Sequence, residues 1–264
     1  MPAGVLSDPQ RVALWLALKE VATSGLRRVH RWTPADGLPP GAAGGPHQHA
    51  VPTLVAGLLG TTRVLGRTVL DLAPSEALVI EPGCWHQHSP HRRGSASFGL
   101  GVLASRCDVL FIDHRETLWG LAPEQPLRDR LEALVGATTA DLPMLVRSCL
   151  TQALEDRSEL VDWRDPELLR MAAYLWNNLH RPIRGGDVLA AAKLGRSKAS
   201  VLFSGFFGRG PKQELMEARL AIARHLLKRG LTVTATAQRC GFSDRADLTR
   251  AHRRRFGVPP TGEE

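Results

Sequence analysis

The sequence predicts an α+β protein with a strand-rich N-terminal part and an all-α C-terminal part. Between residues 26 and 103, short apolar runs such as TLVAGLLG and EALVIEPG alternate with glycine and proline turns, a pattern typical of a β-sandwich or β-barrel. After residue 106, apolar residues recur three and four positions apart, as they do on amphipathic helices. The 264 residues are enough for two domains.

The charge of the chain is concentrated near its C-terminal end. The net charge is +8, but residues 166–264 hold 18 Lys/Arg against 8 Asp/Glu, whereas residues 1–165 hold 16 against 18. A basic domain beside a near-neutral one predicts a polyanionic partner for the basic domain only. The hydrophobic and charged fractions, 43% and 23%, are ordinary for a globular protein and argue against global disorder.

Neither the cysteines nor the apolar runs indicate secretion or a membrane partner. The four cysteines are scattered without a CxxC pair, which fits reduced thiols in a cytosol. The apolar run 12–22 is interrupted by Lys19 and Glu20 and is too short to span a bilayer. We therefore expect a cytoplasmic protein, with a short helix over residues 8–22. Four residues are available to pack this helix: Leu14, Leu16, Leu18 and Val21.

The strand-rich region contains a cluster of histidines. His47 and His49 are two residues apart, so on a strand both side chains would point to the same face. His86 follows the turn at Pro82 and Gly83. Three imidazoles could hold Zn²⁺ or Fe²⁺ with positions open for a ligand, although histidines at a pocket mouth also act by hydrogen bonding alone. We expect these three residues to line an effector pocket rather than a catalytic centre.

Residues 106–165 are predicted to form a helical linker. The segments LRDRLEALVGA and LPMLVRSCLTQAL have the apolar spacing of an amphipathic helix pair. Such a pair could be a dimer interface, an interdomain spacer or ordinary domain packing. The polar stretch EDRSELVDWRDP marks the next boundary, so the predicted division of the chain is 1–105, 106–165 and 166–264.

Residues 231–260 have the pattern of two short helices around a tight turn. Gly241 ends the first helix where a left-handed backbone is needed, and Ser243 or Asp244 can cap the second. Two helices joined by a short glycine-containing turn form a helix-turn-helix, whose second helix enters the DNA major groove. This stretch therefore predicts a DNA-binding element.

An internal repeat predicts a second helix-turn-helix in the same domain. A shift of 49 residues aligns segment 196–211 with segment 245–260 and matches four identical residues at the helix start, the closing aromatic–glycine pair and the following proline. The matched pairs are Arg196/Arg245, Phe207/Phe256, Gly208/Gly257 and Pro211/Pro260. Residues 212–229 predict a long helix between the two units, and residues 167–179 predict an amphipathic helix before them.

Residues 167–262 resemble the DNA-binding domain of the AraC/XylS family of bacterial transcription regulators. The segments LGRSKASVLFSGFFGRGPKQELMEARLAIARHLL and CGFSDRADLTRAHRRRFGVPP carry this resemblance. The family's domain has two helix-turn-helix units joined by a long helix, often behind a cupin-like sensing domain. More loosely, PHQH and EPGCWH resemble the two motifs of a cupin barrel, which implies a cupin-like barrel in the N-terminal part.

The resemblance, together with the helix positions, selects twelve expected DNA contacts. They are Arg196, Ser197, Lys198 and Ser200 in the first unit, and Ser243, Asp244, Arg245, Asp247, Thr249, Arg250, Arg253 and Arg254 in the second. Arg245 and Arg250 are expected to read guanine edges, while Arg253, Arg254 and Arg255 meet phosphate or solvent. In the first unit Val201 replaces the family's usual arginine, so this unit is expected to contribute less to base reading.

Two further departures from the family lie on the second recognition helix. Leu248 and His252 stand where the family usually has phenylalanine. Leu248 should still fill a core site, whereas the polar His252 must find a partner or reach solvent.

The expected function is a one-component transcription regulator, not an enzyme, whose cupin-like barrel senses a small molecule. Its expected partners are double-stranded promoter or operator DNA, a small-molecule effector, a second copy of the chain and RNA polymerase. One alternative is a metal-dependent cupin enzyme, such as a three-histidine dioxygenase, with an attached DNA-binding tail. Another is an interaction module whose helices bind protein partners without DNA.

Overall fold

A computed structural model describes residues 9–38, 48–50, 52–89, 92–103, 106–113, 117–120, 125–155, 161–162 and 166–260. The chain divides into two compact units. The N-terminal unit comprises Met1–Pro39 and Val51–Arg164, and the C-terminal unit comprises Pro40–Ala50 and Asp165–Glu264. Within the described ranges, no helix combines the length and the apolar character that crossing a membrane requires.

The N-terminal unit consists of ten strands and three helices among its described residues. The helices are α1 (Pro9–Ser24), α2 (Gln125–Gly136) and α3 (Leu142–Glu155), and the strands are β1 (Arg28–Trp32), β2 (Thr53–Leu59), β3 (Thr62–Leu65), β4 (Val69–Leu72), β5 (Glu76–Ile80), β6 (Gln87–His88), β7 (Ala96–Leu103), β8 (Arg106–Asp113), β9 (Thr117–Gly120) and β10 (Val161–Asp162). Seven strands form one sheet in the order β1-β5-β2-β7-β8-β9-β10, and β4-β3-β6 form a second. Only the β1–β5 pair is parallel among the described ladders.

The long apolar run of β2 follows from burial on both faces of the larger sheet. Leu54 and Leu58 point into a core shared with α1, α2 and α3. Val55, between them, points to the opposite face and packs with Val64 and Leu72 of the smaller sheet. Because strand side chains alternate between faces, a strand covered on both sides is apolar throughout. The described strands therefore form two packed sheets with helices on the outer face of the larger one.

The expected start of the helical linker at residue 106 is wrong. Segments 106–113 and 117–120 are strands β8 and β9, and β8 pairs with β7 from Leu103↔Arg106 to Ala96↔Asp113. The run CDVLFID is short, bounded by charged residues and rich in β-branched and aromatic residues, which favours a strand. The periodicity of so short a run does not by itself distinguish a strand from a helix. The two amphipathic helices are confirmed as α2 and α3.

The N-terminal helix is confirmed as α1, with one correction to its packing face. Leu14, Leu18 and Val21 are buried, but Leu16 is 62% exposed. Leu16 lies two residues from both Leu14 and Leu18, which is half a turn away from the buried face of a helix.

The C-terminal unit is all-α in its described secondary structure, which confirms the α+β class. Its helices are α4 (Pro166–Asn178), α5 (Gly185–Ala190), α6 (Arg196–Phe207), α7 (Pro211–Lys228), α8 (Val233–Arg239) and α9 (Arg245–Phe256). Helix α7 packs against α5, α6, α8 and α9. It is buried on several sides because it lies between the two helix-turn-helix units, α5–α6 and α8–α9.

Candidate nucleic-acid interface

The turn between α8 and α9 accepts only glycine at residue 241. Gly241 has φ +74°, in the left-handed region that favours glycine. A Cβ at this position would collide with the carbonyl oxygen of Leu179 and lie 3.0 Å from the carbonyl carbon of His180. The turn is therefore pressed against the end of α4, and the following Phe242 is buried.

Arg219 of α7 holds the chain beneath this turn. Its side chain is buried, and its Nε donates to the Leu179 carbonyl at 2.9 Å while Nη2 donates to the Arg181 carbonyl. Both carbonyls belong to the segment just after α4, where the last helical turn leaves acceptors without helical partners. Arg219 thus joins α4 and α7 at the point where the second helix-turn-helix rests.

Two titratable neighbours of Arg219, His180 and Cys240, carry no charge at neutral pH. Burial, followed by the charges of Arg181 and Arg219, lowers the pKa of His180, so its ring stays neutral. Burial also raises the pKa of the Cys240 thiol to about 12, which keeps it protonated. Desolvation lowers the pKa of Arg219 itself, but a guanidinium begins from so high a value that it remains charged.

The first turn of α9 is fixed by three polar side chains. Asp244 Oδ1 accepts from the Asp247 backbone N–H at 2.7 Å, so Asp244 is the N-cap and the capping prediction is confirmed. Asp247 Oδ2 accepts from the backbone N–H and the hydroxyl of Ser243 at 3.3 and 3.2 Å. These residues, also expected to contact DNA, therefore already hold the start of the recognition helix in place.

Replacing Asp244 by alanine should destabilise the C-terminal unit by about 1 kcal/mol, because the Asp247 N–H loses its acceptor. Urea denaturation followed by circular dichroism measures this loss. Asp244→Asn is the matched control, since its amide oxygen can still accept the same hydrogen bond. Equal destabilisation by both substitutions would show that the carboxylate charge, not the cap, stabilises the helix.

The face of α9 opposite its buried side carries the basic residues. Leu248, Ala251 and His252 are buried, and at 100° per residue Ala246, Arg250 and Arg253 fall on the opposite side. Arg250 lies at its centre with a side chain that is 63% exposed, and its Nη2 is 3.6 Å from Asp247 Oδ1. The other exposed basic residues expected at the DNA are Arg245 and Arg254.

The two departures on the inner face of α9 pack as expected. Leu248 is fully buried. His252 is also buried, and its Nδ1 lies 2.8 Å from the Val258 carbonyl, which requires the proton on Nδ1 for a hydrogen bond. Its ring lies 4.7 Å from that of Phe256. The histidine has found a partner in the backbone carbonyl of Val258, just after α9.

Arg255 has a structural partner on α7, while its side chain is still 52% exposed to solvent. Its Nε donates to the carboxylate of Glu217 on α7, at 2.8 Å to Oε1 and 2.9 Å to Oε2. Residue 255 lies two helical turns after Leu248, on the side of α9 that faces α7. The guanidinium of Arg224, also on α7, lies over the Phe256 ring at 4.5 Å from the centroid. These contacts join α9 to the linking helix.

Helix α6 presents a different surface. Ala199, Phe203 and Phe207 form its buried side, and the rings of Phe203 and Phe207 stack at 4.2 Å. The four expected contacts lie at its start; Arg196, Ser197 and Lys198 are exposed and Ser200 is half-buried. Val201, in the middle of the helix, is 75% exposed.

An ion pair with a buried glutamate and a half-buried arginine joins helix α7 to the end of the first unit. Arg209, just after α6, places Nε 3.0 Å from Oε2 of the buried Glu214. With 18 residues, α7 is about 27 Å long. Sequence reasoning missed Arg209, Glu214, Glu217 and Arg219, because their partners lie on other elements and leave no local pattern.

The expected pocket histidines are described only in part. His47 lies outside the described residues. His49 belongs to the C-terminal unit, where its ring is 5.9 Å from that of Trp176. His86, in the N-terminal unit, is buried with Nδ1 3.0 Å from the Cys84 carbonyl and its ring 5.5 Å from that of His88. The part of the chain that the structure describes contains no group of three or more His, Cys, Asp or Glu able to hold a metal.

Comparisons with known proteins assign the chain to a family. Residues 188–262 match the family described as "Helix-turn-helix domain". Over 224 residues the chain is 31% identical to the "Probable transcriptional regulator LumQ" of Photobacterium leiognathi. The aligned region covers 81% of this chain and 90% of that protein. The chain belongs to the AraC/XylS family of transcription regulators. This AraC-family protein is thus a DNA-binding transcription regulator.

Two solved structures are also similar to this AraC-family regulator, with low TM-scores. An AraC-type transcriptional regulator from Chromobacterium violaceum is 25% identical with a TM-score of 0.33, and the likeness covers 36% of this chain and 87% of that one. ToxT from Vibrio cholerae O395 is 10% identical with a TM-score of 0.37, covering 82% of this chain and 90% of that one.

Proposed function

We propose that this AraC-family regulator reads its operator asymmetrically, with α9 making most of the hydrogen bonds to bases and α6 mainly contributing position and affinity. The observation that supports this most directly is the outward face of α9, where Arg250 is 63% exposed at the centre and lies between other exposed arginines. The corresponding centre of α6 is Val201, which offers no hydrogen bond.

The contacts differ in what they contribute to binding. An arginine at the centre of a recognition helix can donate two hydrogen bonds to guanine O6 and N7, which no other base offers in that arrangement. Asp247, 3.6 Å from Arg250, can orient the guanidinium before DNA arrives. Arg253 and Arg254, nearer the end of α9, are proposed to meet phosphates, which increases affinity for any sequence.

The length of α7 is compatible with both recognition helices binding one face of the duplex. At about 27 Å, it approaches the roughly 34 Å of one turn of DNA. The proposed operator therefore has two half-sites about 10 base pairs apart, one for each unit.

The phosphate contacts predict a change in salt dependence. Replacing Arg253 and Arg254 together by alanine should lower the slope of log affinity against log salt by about two, since each lost phosphate contact removes about one. Gel-shift titrations at several salt concentrations measure the slope, with exposed Lys19→Ala on α1 as the control. An unchanged slope in the double variant would refute phosphate contact by these arginines.

The N-terminal unit is proposed to bind the small-molecule effector. Of the expected pocket residues, the buried His86 belongs to this unit and is the first candidate, whereas His49 belongs to the C-terminal unit. Metal analysis of the purified protein tests whether Zn²⁺ or Fe²⁺ is bound. A second candidate is an open groove of about 690 Å³ beside α2 and α3, whose lining includes Arg130, Met144 and Arg147. The two arginines outnumber Glu155, the one acidic residue of this lining, which favours an anionic effector there. A ligand whose stabilisation of the protein survives Arg130→Ala and Arg147→Ala would exclude the groove.

The assembly partners are proposed on family membership alone. They are a second copy of the chain and RNA polymerase at the promoter. Light scattering of the full chain tests the dimer, and a purely monomeric species at operator-binding concentrations would refute it. Transcription from a reconstituted promoter with purified polymerase tests the second partner, and an unchanged transcript level on adding the regulator would count against it.

A further inference from the structure

Val201 is the most exposed large apolar side chain among the described residues. It is 75% exposed in the middle of α6, and its neighbours Ala199 and Phe203 are fully buried on the other side of the helix. A β-branched residue has a lower helix propensity than alanine or leucine, and an exposed position gives no packing in return. Folding of the unit therefore does not explain a valine here.

When the two recognition helices are aligned, Val201 of α6 corresponds to Arg250 of α9. Both helices have 12 residues and end at a left-handed glycine, Gly208 with φ +69° and Gly257 with φ +81°. The 49-residue shift also aligns buried residues of the two helices, Ala199 with Leu248 and Phe203 with His252. Val201 is thus the centre of the outward face of α6.

The residues around Val201 on the outward face of α6 have small side chains. Ser197 and Gly205 lie one turn before and after Val201 on the same face of the helix. A Cβ added at Gly205 would meet no heavy atom of the described residues within 4 Å, so this glycine is not required by packing inside the unit. A small residue there instead lets another molecule approach the helix closely.

The charge around α6 favours DNA over a protein as that other molecule. No Asp or Glu occurs between Asp187 and Glu214, while five Lys or Arg residues do. Two of them, Arg196 and Lys198, are exposed at the start of α6, the helix that carries Val201. The cations at the start of the helix suit contact with phosphates. The apolar centre of the helix suits contact with an apolar group in the groove.

We propose that Val201 contacts the C5-methyl group of a thymine in the operator half-site bound by α6. This inference rests on the proposed function. The thymine methyl is the apolar group that a base edge presents in the major groove, and apolar side chains recognise it. Opposite guanine or cytosine, Val201 would desolvate polar base atoms without pairing them, which disfavours those bases. Helix α6 thus reads one base pair by apolar contact, whereas α9 reads by hydrogen bonds.

Deoxyuridine substitution in the operator tests this contact, because it removes only the methyl group. The full-length protein first selects its operator from a pool of random duplexes. Each thymine of the half-site bound by α6 is then replaced in turn by deoxyuridine, and affinities are measured by gel shift. At one thymine, wild-type protein should lose about three- to tenfold in affinity, the effect of one buried methyl contact. Val201→Ala should bind the thymine duplex as weakly as wild-type protein binds the deoxyuridine duplex. Deoxyuridine substitution should not lower the affinity of this variant further.

Two variants control for folding and position. Val201→Ala should retain the fold, since alanine is the better helix former at an exposed site. Arg250→Ala in α9 should weaken overall binding but preserve the full deoxyuridine effect in the half-site of α6. Val201→Arg should shift the preferred base at the affected position from thymine towards guanine.

Four outcomes would overturn the inference, and they separate it from the proposed function. If no sequence is enriched by selection, both fail. If an operator is found but wild-type protein is indifferent to every deoxyuridine, or Val201→Ala shows the same loss as wild type, only the thymine contact fails. If Val201→Ala lowers transcription without changing DNA affinity, the outward face of α6 binds a protein, and the thymine contact again fails.

Discussion

Replacing Gly241 by alanine should destabilise the C-terminal unit by about 2–4 kcal/mol and abolish operator binding in parallel. Two effects add at this position. The left-handed backbone, φ +74°, strains any residue with a Cβ, and that Cβ would collide with the Leu179 carbonyl held by Arg219. Relief of the collision requires the second helix-turn-helix to move away from α4 and α7. Urea denaturation of the full chain, followed at the helical circular dichroism band, measures the loss.

Two other glycines are matched controls for Gly241. Gly257→Ala carries a similar strain, at φ +81°, but its Cβ would meet no heavy atom of the described residues within 4 Å, so it should cost only about 1 kcal/mol. Gly205→Ala, in the interior of α6, has neither strain nor collision and should stabilise slightly, because alanine is the better helix former. If Gly241→Ala costs no more than Gly257→Ala, the close contact with Leu179 is refuted.

Replacing Arg250 by alanine should weaken operator binding by about 1–3 kcal/mol, or roughly five- to 150-fold. The side chain is exposed at the centre of the outward face, so its removal takes away base contacts while leaving the core of the unit intact. Gel-shift titration on the selected operator at fixed salt measures the effect. Lys198→Ala in α6 should cost less, since it offers a phosphate contact near the helix start.

Arg255→Ala is the matched control on the same helix. Arg255 is bound by Glu217, so its loss should lower the stability of the unit slightly without changing the preferred operator sequence. Equal losses of affinity from Arg250→Ala and Arg255→Ala would mean that the positive charge of α9, not its geometry, drives binding.

The parts of this structure that were predictable from sequence are those with a local chemical cause. The turn glycine Gly241, the cap at Asp244 and the amphipathic helices each follow from residues within a few positions of one another. Burial of Leu248 follows from helical spacing, once the start of the helix is known. For His252 the sequence left two outcomes open, a partner or exposure to solvent. The 49-residue repeat extended this logic to the first unit, where α6 begins and ends as predicted.

The contacts that escaped prediction join residues far apart in sequence. Arg219 binds the Leu179 carbonyl 40 positions away, and Arg255 binds Glu217 38 positions away. The residues next to an arginine in sequence do not show whether its partner is a phosphate, a carboxylate or a buried carbonyl. Strands β8 and β9 were missed for a related reason, since a short apolar run becomes a strand only when a neighbouring strand pairs with it.

The ratio of operator affinity to random-duplex affinity tests the asymmetry of the two recognition helices most directly. It should be measured at one salt concentration for wild-type protein, Arg250→Ala and Lys198→Ala. Arg250→Ala should reduce the ratio by about tenfold or more, because a base contact is lost. Lys198→Ala should weaken binding to both duplexes alike and leave the ratio near its wild-type value. An unchanged ratio for Arg250→Ala, or an equal fall for Lys198→Ala, would contradict the assignment of base reading to α9.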